Sequence, residues 1–205
     1  MIELTVLSGR FSCKTKEQLW HQELKQTIQL VQNDHLSFVD IKSLNKEQNI
    51  YNASSESFSN EICNAVIRRI KAVNDGFMMF YLSENSETQK LMSLITIMLT
   101  DRTVFEFMDR VFKEKLILGD KKINDSEFLE YMHDLQNQDL NAAKWTDAGI
   151  KRWRTYIKTS LMEAELIEDN DQSNRILRPI ISDRFKNFLL YEGLERVYKI
   201  FAGER

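Results

Sequence analysis

Between Trp145 and Arg178 the chain sets out a basic amphipathic segment and then two short apolar runs around a polar turn. Ile150, Trp153, Ile157, Leu161 and Ala164 recur at intervals of three and four, which places one apolar stripe along a helix. Thr146 is positioned to cap that helix, and Asp147 puts negative charge in its first turn, where the macrodipole favours it. Farther on, Leu166-Ile167-Glu168 and Arg175-Ile176-Leu177-Arg178 flank Asp169 to Asn174, a pattern that predicts a hairpin. A helical period that gives way to two short runs restricts this segment to a helix followed by a β-ribbon. That is the order of a recognition helix and wing in a winged helix-turn-helix.

The opposite face of the segment is cationic. At roughly 100° per residue, Lys151, Thr155, Lys158 and Thr159 lie away from the apolar stripe, with Arg152 on its far edge and Arg154 at its margin. With Lys144 these make five positive charges between positions 144 and 160, opposed only by Asp147. A helix with cations and hydroxyls on its wet face suits phosphate contact and groove entry. Ordinary solvated helices carry Lys and Arg too, so the segment alone supports both readings. Its neighbourhood favours the first. Asn124 and Glu127 form a capping-box pattern ahead of Phe128, Leu129, Met132 and Leu135, giving the order helix, helix, hairpin. The wing is expected to be structural, because Asp169 and Asp171 at its tip repel phosphate.

Composition narrows the class. One proline and six glycines among 205 residues, with 42% apolar and 29% charged residues, predict a mainly helical protein of one large or two small domains. A net charge of −3 supplies no global field for nucleic acid, so any such contact must be local. Cys13 and Cys63 lack metal-ligand spacing and read as reduced thiols. No apolar run is long enough to span a membrane and no signal-peptide pattern opens the chain, so a cytoplasmic location is expected.

Residues 2–8 read as extended or as a frayed arm. Lys16–Gln32 reads as a helix and Leu36–Leu44 as a shorter one. Asn45–Ser59 reads as a polar loop anchored by Ile50 and Tyr51, and Asn60–Val73 as a third helix. Arg68 and Lys71 fall on the open face of that third helix, with Arg69 nearer the packed side. Phe77–Leu82 is core, as a helical turn or a strand. Ser86 with Gln89 forms a further capping-box pattern, and Arg102–Leu116 the next helix, ended by Gly119. Asp183–Tyr191 and Leu194–Phe201 read as two short helices joined at Gly193. The expected fold is all-α, mainly helical. Two helix-turn-helix-like parts, 1–75 and 121–205, are joined by a central helical pair, 76–120, with a short β-hairpin wing near the C-terminus.

No reaction chemistry stands out. His21, His35 and His133 have no carboxylate or thiol at ligand spacing, and no phosphate loop, nucleophile elbow or HExxH motif occurs. Asp125, Glu127, Glu130 and Asp134, with Asp139 beyond, read as one solvated helix face rather than a magnesium-nuclease cluster. The expectation is no cofactor, no metal and no enzymatic activity, although residues converging from distant segments stay open.

Three blocks together resemble the BrxA family, the small helical component of BREX bacteriophage-defence systems. Glu47–Ile70 resembles its polar loop followed by an Arg-Arg helix. Asp101–Met132 resembles its central helix, Glu-Lys-Leu and Gly-Asp turn, and following helix. Lys144-Trp145-Thr146 resembles its Trp-Ser block ahead of a basic helix. The resemblance spans roughly residues 35–190. Glu163-Ala164-Glu165-Leu166 departs from it, standing where the family commonly has glycine. It implies a helical protein that binds DNA without enzymatic activity, beside a methyltransferase, a phosphatase-like protein and ATPases.

The leading expectation is therefore a non-enzymatic accessory protein that contacts double-stranded DNA weakly and largely without sequence preference. Lys144, Lys151, Arg152, Thr155 and Lys158 form its first set of contacts. Arg68 and Lys71, Lys113 and Lys115, and Lys121 and Lys122 form second patches. The alternatives are a protein-only adaptor whose basic helix docks an acidic surface, and, more weakly, an RNA-binding helical bundle or a metal nuclease.

Overall fold

Short polar side chains start most of the helices. In the computed structural model, which describes residues 1–170 and 173–205, α1 (His21–Gln32) is followed by α2 (Phe38–Gln48), capped by Ser37. Ser55 caps α3 (Glu56–Ile70), Asn74 caps α4 (Asp75–Ser83), and Asn85 caps α5 (Ser86–Met98). Each accepts a backbone N–H two or three residues into the first turn, satisfying a donor that the helix cannot. Asp101 does the same for α6 (Arg102–Phe107). That helix widens into a π-turn at Met108–Phe112 and continues as α7 (Lys113–Leu118), ending at Gly119 with φ +72°. A left-handed residue at this point favours glycine, and here the expected stop is realised.

The second half begins with β1 (Lys122–Ile123) and α8 (Asp125–Gln138), at whose start the Glu127 carboxylate accepts the Asn124 backbone N–H at 2.8 Å. A short 3-10 turn, Ala142–Lys144, leads to α9 (Asp147–Glu163), capped by Thr146 as expected. The hairpin is β2 (Ile167–Asn170) and β3 (Ser173–Ile176). Asp171, expected at its tip, lies outside the described residues. The chain finishes with α10 (Asp183–Tyr191) and α11 (Glu195–Ala202).

The wing has a third strand. β3 pairs antiparallel with β2 and also with β1, through Lys122↔Arg175 and Ile123↔Asn174, so the sheet order is β1-β3-β2. Two-residue β1 is too short for any periodicity, and only the tertiary pairing reveals it. The inner row buries Ile123 and Asn174, whose amide donates to the Ile123 carbonyl and to Asp125. The outer row exposes Lys122, Arg175 and Glu168.

Aromatic packing holds α9 in place. Trp153 is fully buried, edge-on to Phe107 at 5.6 Å and beside Tyr131 at 5.9 Å, while Phe107 stacks on Phe128 at 5.0 Å. Such pairs contribute about 0.5–1.5 kcal/mol each beyond simple burial. Phe80 of α4 stacks on Phe188 of α10 at 3.8 Å, and Phe77, Met78 and Tyr81 are buried, so the Phe77–Leu82 run is helical and mostly core, with Met79 exposed.

Several elements differ from their sequence patterns for definite reasons. The helix predicted from Lys16 begins only at His21, because the Gln18 and Leu19 carbonyls accept the Arg69 guanidinium instead of helical amides, and Trp20 is left-handed at φ +47°. The polar loop shrinks to residues 49–55, since buried Asn45 and Ser59 bond each other at 2.8 Å and belong to α2 and α3. Asn85, not Ser86, caps α5, and Gln89 is buried, donating to the Tyr81 and Glu84 carbonyls. Residues 2–8 include a 3-10 turn at Thr5–Ser8, with Ile2 buried and bonded to the Glu192 carbonyl.

Candidate nucleic-acid interface

The two halves of α9 present different surfaces. Lys158, in the C-terminal half, lies 3.5 Å from Asp125 and 3.2 Å from Asp169, and Arg154, at the middle of the helix, lies 3.3 Å from Asp125. Burial raises the Asp125 carboxyl, but the Asn174 amide, Lys158 and Arg154 outweigh it and hold the group below the ordinary carboxylate range. These contacts tie α9 to the start of α8 and to the sheet. In the N-terminal half, Lys144, Lys151 and Arg152 are exposed, and none has a carboxylate within 4 Å among the described residues. Thr155 is also exposed, its hydroxyl donating to the Lys151 carbonyl. The basic stripe read from the sequence therefore divides into a free end and an anchored end.

The other cations of the expected set are dispersed. Lys113 reaches Asp109, which also holds Arg196 at 2.6 Å, locking the π-turn to α11. Lys115 bonds Glu127 at 2.6 Å and Asp120 at 3.0 Å, joining α7 to the start of α8. Lys71 sits 5.3 Å above the Phe38 ring. Lys121 and Lys122 are exposed at the edge of the sheet.

Arg68 belongs to a cluster that sequence patterns did not reveal. Residues 10–20 cross the surface as an irregular strap. The Ser12 backbone N–H and hydroxyl donate to Thr103 and Asp101. Glu17 takes Arg68, Arg69 and Lys14, the last at 3.3 Å. Burial raises the Glu17 carboxyl, yet those three cations pull it below its ordinary value of 4.5. Fully buried Asp101, with Lys14 as its cation at 3.5 Å, is pushed the other way by burial. The available signal was Arg69 itself: an arginine facing the packed side of a helix requires carboxylates and carbonyls from elsewhere in the chain. Strap residue Cys13 also lies close to Gly149 of α9, and burial raises its thiol to about 11, the unreactive direction.

Among the described residues no three His, Cys, Asp or Glu side chains gather as a metal site, and no helix is long and apolar enough to cross a membrane. A concavity of about 360 Å³ lies between α7 and α8. Its rim includes Glu114, Glu130 and Asp134, so it is unsuited to phosphate.

Fold and surface thus define a mainly helical protein in which α8 and α9 lead into a small antiparallel sheet, with three cations unpaired among the described residues, beside Asp147, at one helix end. The BrxA family model matches residues 12–193. A BREX protein BrxA from Bacillus cereus (strain H3081.97) is 27% identical over 176 residues, covering 82% of this chain and 88% of that protein. The crystal structure of an uncharacterized protein from Magnetospirillum magneticum superposes with a TM-score of 0.78. It covers 96% of this chain and 100% of the other at 11% identity, a likeness of fold alone. The chain belongs to the BrxA family of BREX phage-defence systems.

Proposed function

We propose that this chain is a non-enzymatic DNA-binding accessory protein of a BREX system, working in the cytoplasm beside the other components, and that α9 is its principal DNA contact. The observation that carries this reading is the asymmetry of α9. Lys144, Lys151 and Arg152 are free at its N-terminal end, while Arg154 and Lys158 are tied down farther along. A helix-turn-helix offers its recognition helix to the groove by its N-terminal residues, and α8, α9 and the sheet follow one another in the order such a motif requires. The helix dipole adds partial positive charge at the same end. Lys121 and Lys122 at the sheet edge supply further contacts, whereas Lys113, Lys115 and Lys158 serve chiefly as internal ties.

Affinity in this reading is low and salt-sensitive. Three phosphate contacts from the α9 end alone give a slope of log K against log salt of about −2.7, roughly a forty-fold loss between 50 and 200 mM, and each further contact from Lys121 or Lys122 adds about −0.9. Anisotropy titration of a labelled duplex across that range tests it, with single-stranded RNA as competitor. Binding of the duplex that weakens with this slope and resists RNA supports the reading; preference for RNA, or no salt dependence, overturns it.

The net charge of −3 favours a second reading, a protein-only adaptor in which the same helix end docks an acidic surface of the methyltransferase, the phosphatase-like protein or an ATPase. Co-purification with those components that survives nuclease and high salt, without duplex affinity, selects it.

A further inference from the structure

Arg152 and Arg68 lie on different helices, yet both border the strap. A cleft of about 240 Å³ separates α9 from the strap, lined by Thr15, Lys16 and Gln18 on one side and Arg152, Thr155 and Thr159 on the other. A second cleft of about 270 Å³ lies between the strap and α3, bordered by Lys16, Asn64 and Arg68 and also by Glu17 and Glu61. Lys16 and Glu17 border both, so the two clefts meet at Lys16.

The charges around this junction do not balance. Glu17, the carboxylate between the clefts, is taken by Lys14, Arg68 and Arg69, and Glu61 lies 3.3 Å from Lys16 on the open surface. Lys14, Lys16, Arg68, Arg69 and Arg152 face Glu17, Asp101 and Glu61 within the cluster, and Glu163 of α9 lies within electrostatic reach of Arg69. A local excess of one positive charge therefore stands on a chain whose net charge is −3. The Lys16 side chain is 78% exposed, so its contact with Glu61 is worth little and leaves the ammonium free to turn to an anion. Thr15 and Thr159 place hydroxyls between the cations, the mixture that holds phosphodiester oxygens in protein–DNA contacts, while the Thr155 hydroxyl donates to the Lys151 carbonyl.

We propose that the strap and α9 form a trench for the phosphodiester backbone of duplex DNA, with Lys16 as the contact that carries the strand from Arg152 on α9 toward Arg68 on α3. This rests on the reading of α9 as the DNA contact and adds a second element to it. The phosphate track leaves the helix across the strap, away from the wing. The structural alternative is that Lys16 is an ordinary solvated lysine.

The salt dependence of duplex binding separates these outcomes. Lys16→Gln removes a charge whose carboxylate contact in the fold, Glu61 at 3.3 Å, is solvent-exposed and weak, and Lys46→Gln, at an exposed position of α2, is the control. Each lost phosphate contact lowers the magnitude of the slope by about 0.9. The trench predicts that loss for Lys16→Gln and again for Arg152→Gln, with Lys46→Gln unchanged. A slope for Lys16→Gln equal to that of Lys46→Gln, while Lys151→Gln lowers it, overturns the trench and leaves the α9 reading standing. A slope unmoved by any of the substitutions, Lys151→Gln included, overturns both.

Discussion

Lys158 lies 3.2 Å from Asp169, and that contact turns the middle of a basic helix toward its own wing. The acidic residue expected to repel phosphate from the hairpin instead neutralises a lysine expected to bind it. Both side chains are partly exposed, Asp169 by 49%, so the pair contributes at most about 1 kcal/mol to stability. Lys158→Gln is expected to change duplex affinity by less than two-fold and Lys151→Gln by several-fold, read by anisotropy at 50 mM salt. An equal loss for both would place Lys158 in the interface.

Glu17 anchors the strap, and its substitution carries a pH signature. Its folded pKa lies below 4.5, so its contribution is fully present above that pH and is lost as the pH falls through the folded value. Glu17→Gln leaves fully buried Arg69 without its carboxylate, at a cost of roughly 3 kcal/mol near pH 7. Urea melts of both proteins from pH 7 to 3 should show that gap narrowing below pH 4.5. Parallel curves throughout would mean that the carboxylate is not ionically engaged.

The start of α5 separates a cap from its neighbour. Asn85 accepts the Thr88 backbone N–H at 2.9 Å, whereas Ser86 is the first helical residue. Asn85→Ala is expected to destabilise by about 1 kcal/mol and Ser86→Ala by a few tenths at most. Equilibrium denaturation distinguishes them, and the reverse order would return the cap to Ser86.

Much of this architecture is visible in the sequence. Thr146, Asn124 and Gly119 mark element boundaries by local chemistry alone, and the stripe from Ile150 to Leu161 fixes the buried face of α9. Local signals failed where distant groups decide the backbone. Arg69 draws Gln18 and Leu19 out of helix, Lys122 becomes a strand only opposite Arg175, and Asn45 and Ser59 are hidden by each other. The candidate site followed the same division. Periodicity showed which cations face outward from α9, but only the fold shows that Asp125 and Asp169 occupy half of them.

Trp153 tests the packing beneath the site. It is fully buried against Phe107 and Tyr131, and Trp153→Ala is expected to cost about 3–5 kcal/mol. Chemical denaturation with an unchanged m-value would confirm a loss of packing, and a cost under about 1 kcal/mol would contradict the observed burial.

The most direct measurement is duplex affinity for the triple variant Lys144→Glu, Lys151→Glu, Arg152→Glu at 50 mM salt, alongside its thermal midpoint. None of the three side chains has a carboxylate partner within 4 Å among the described residues, so the midpoint should stay within a few degrees of the parent. Binding should fall to the limit of detection. A folded triple variant that binds the duplex as tightly as the parent would contradict the assignment of α9 as the DNA contact.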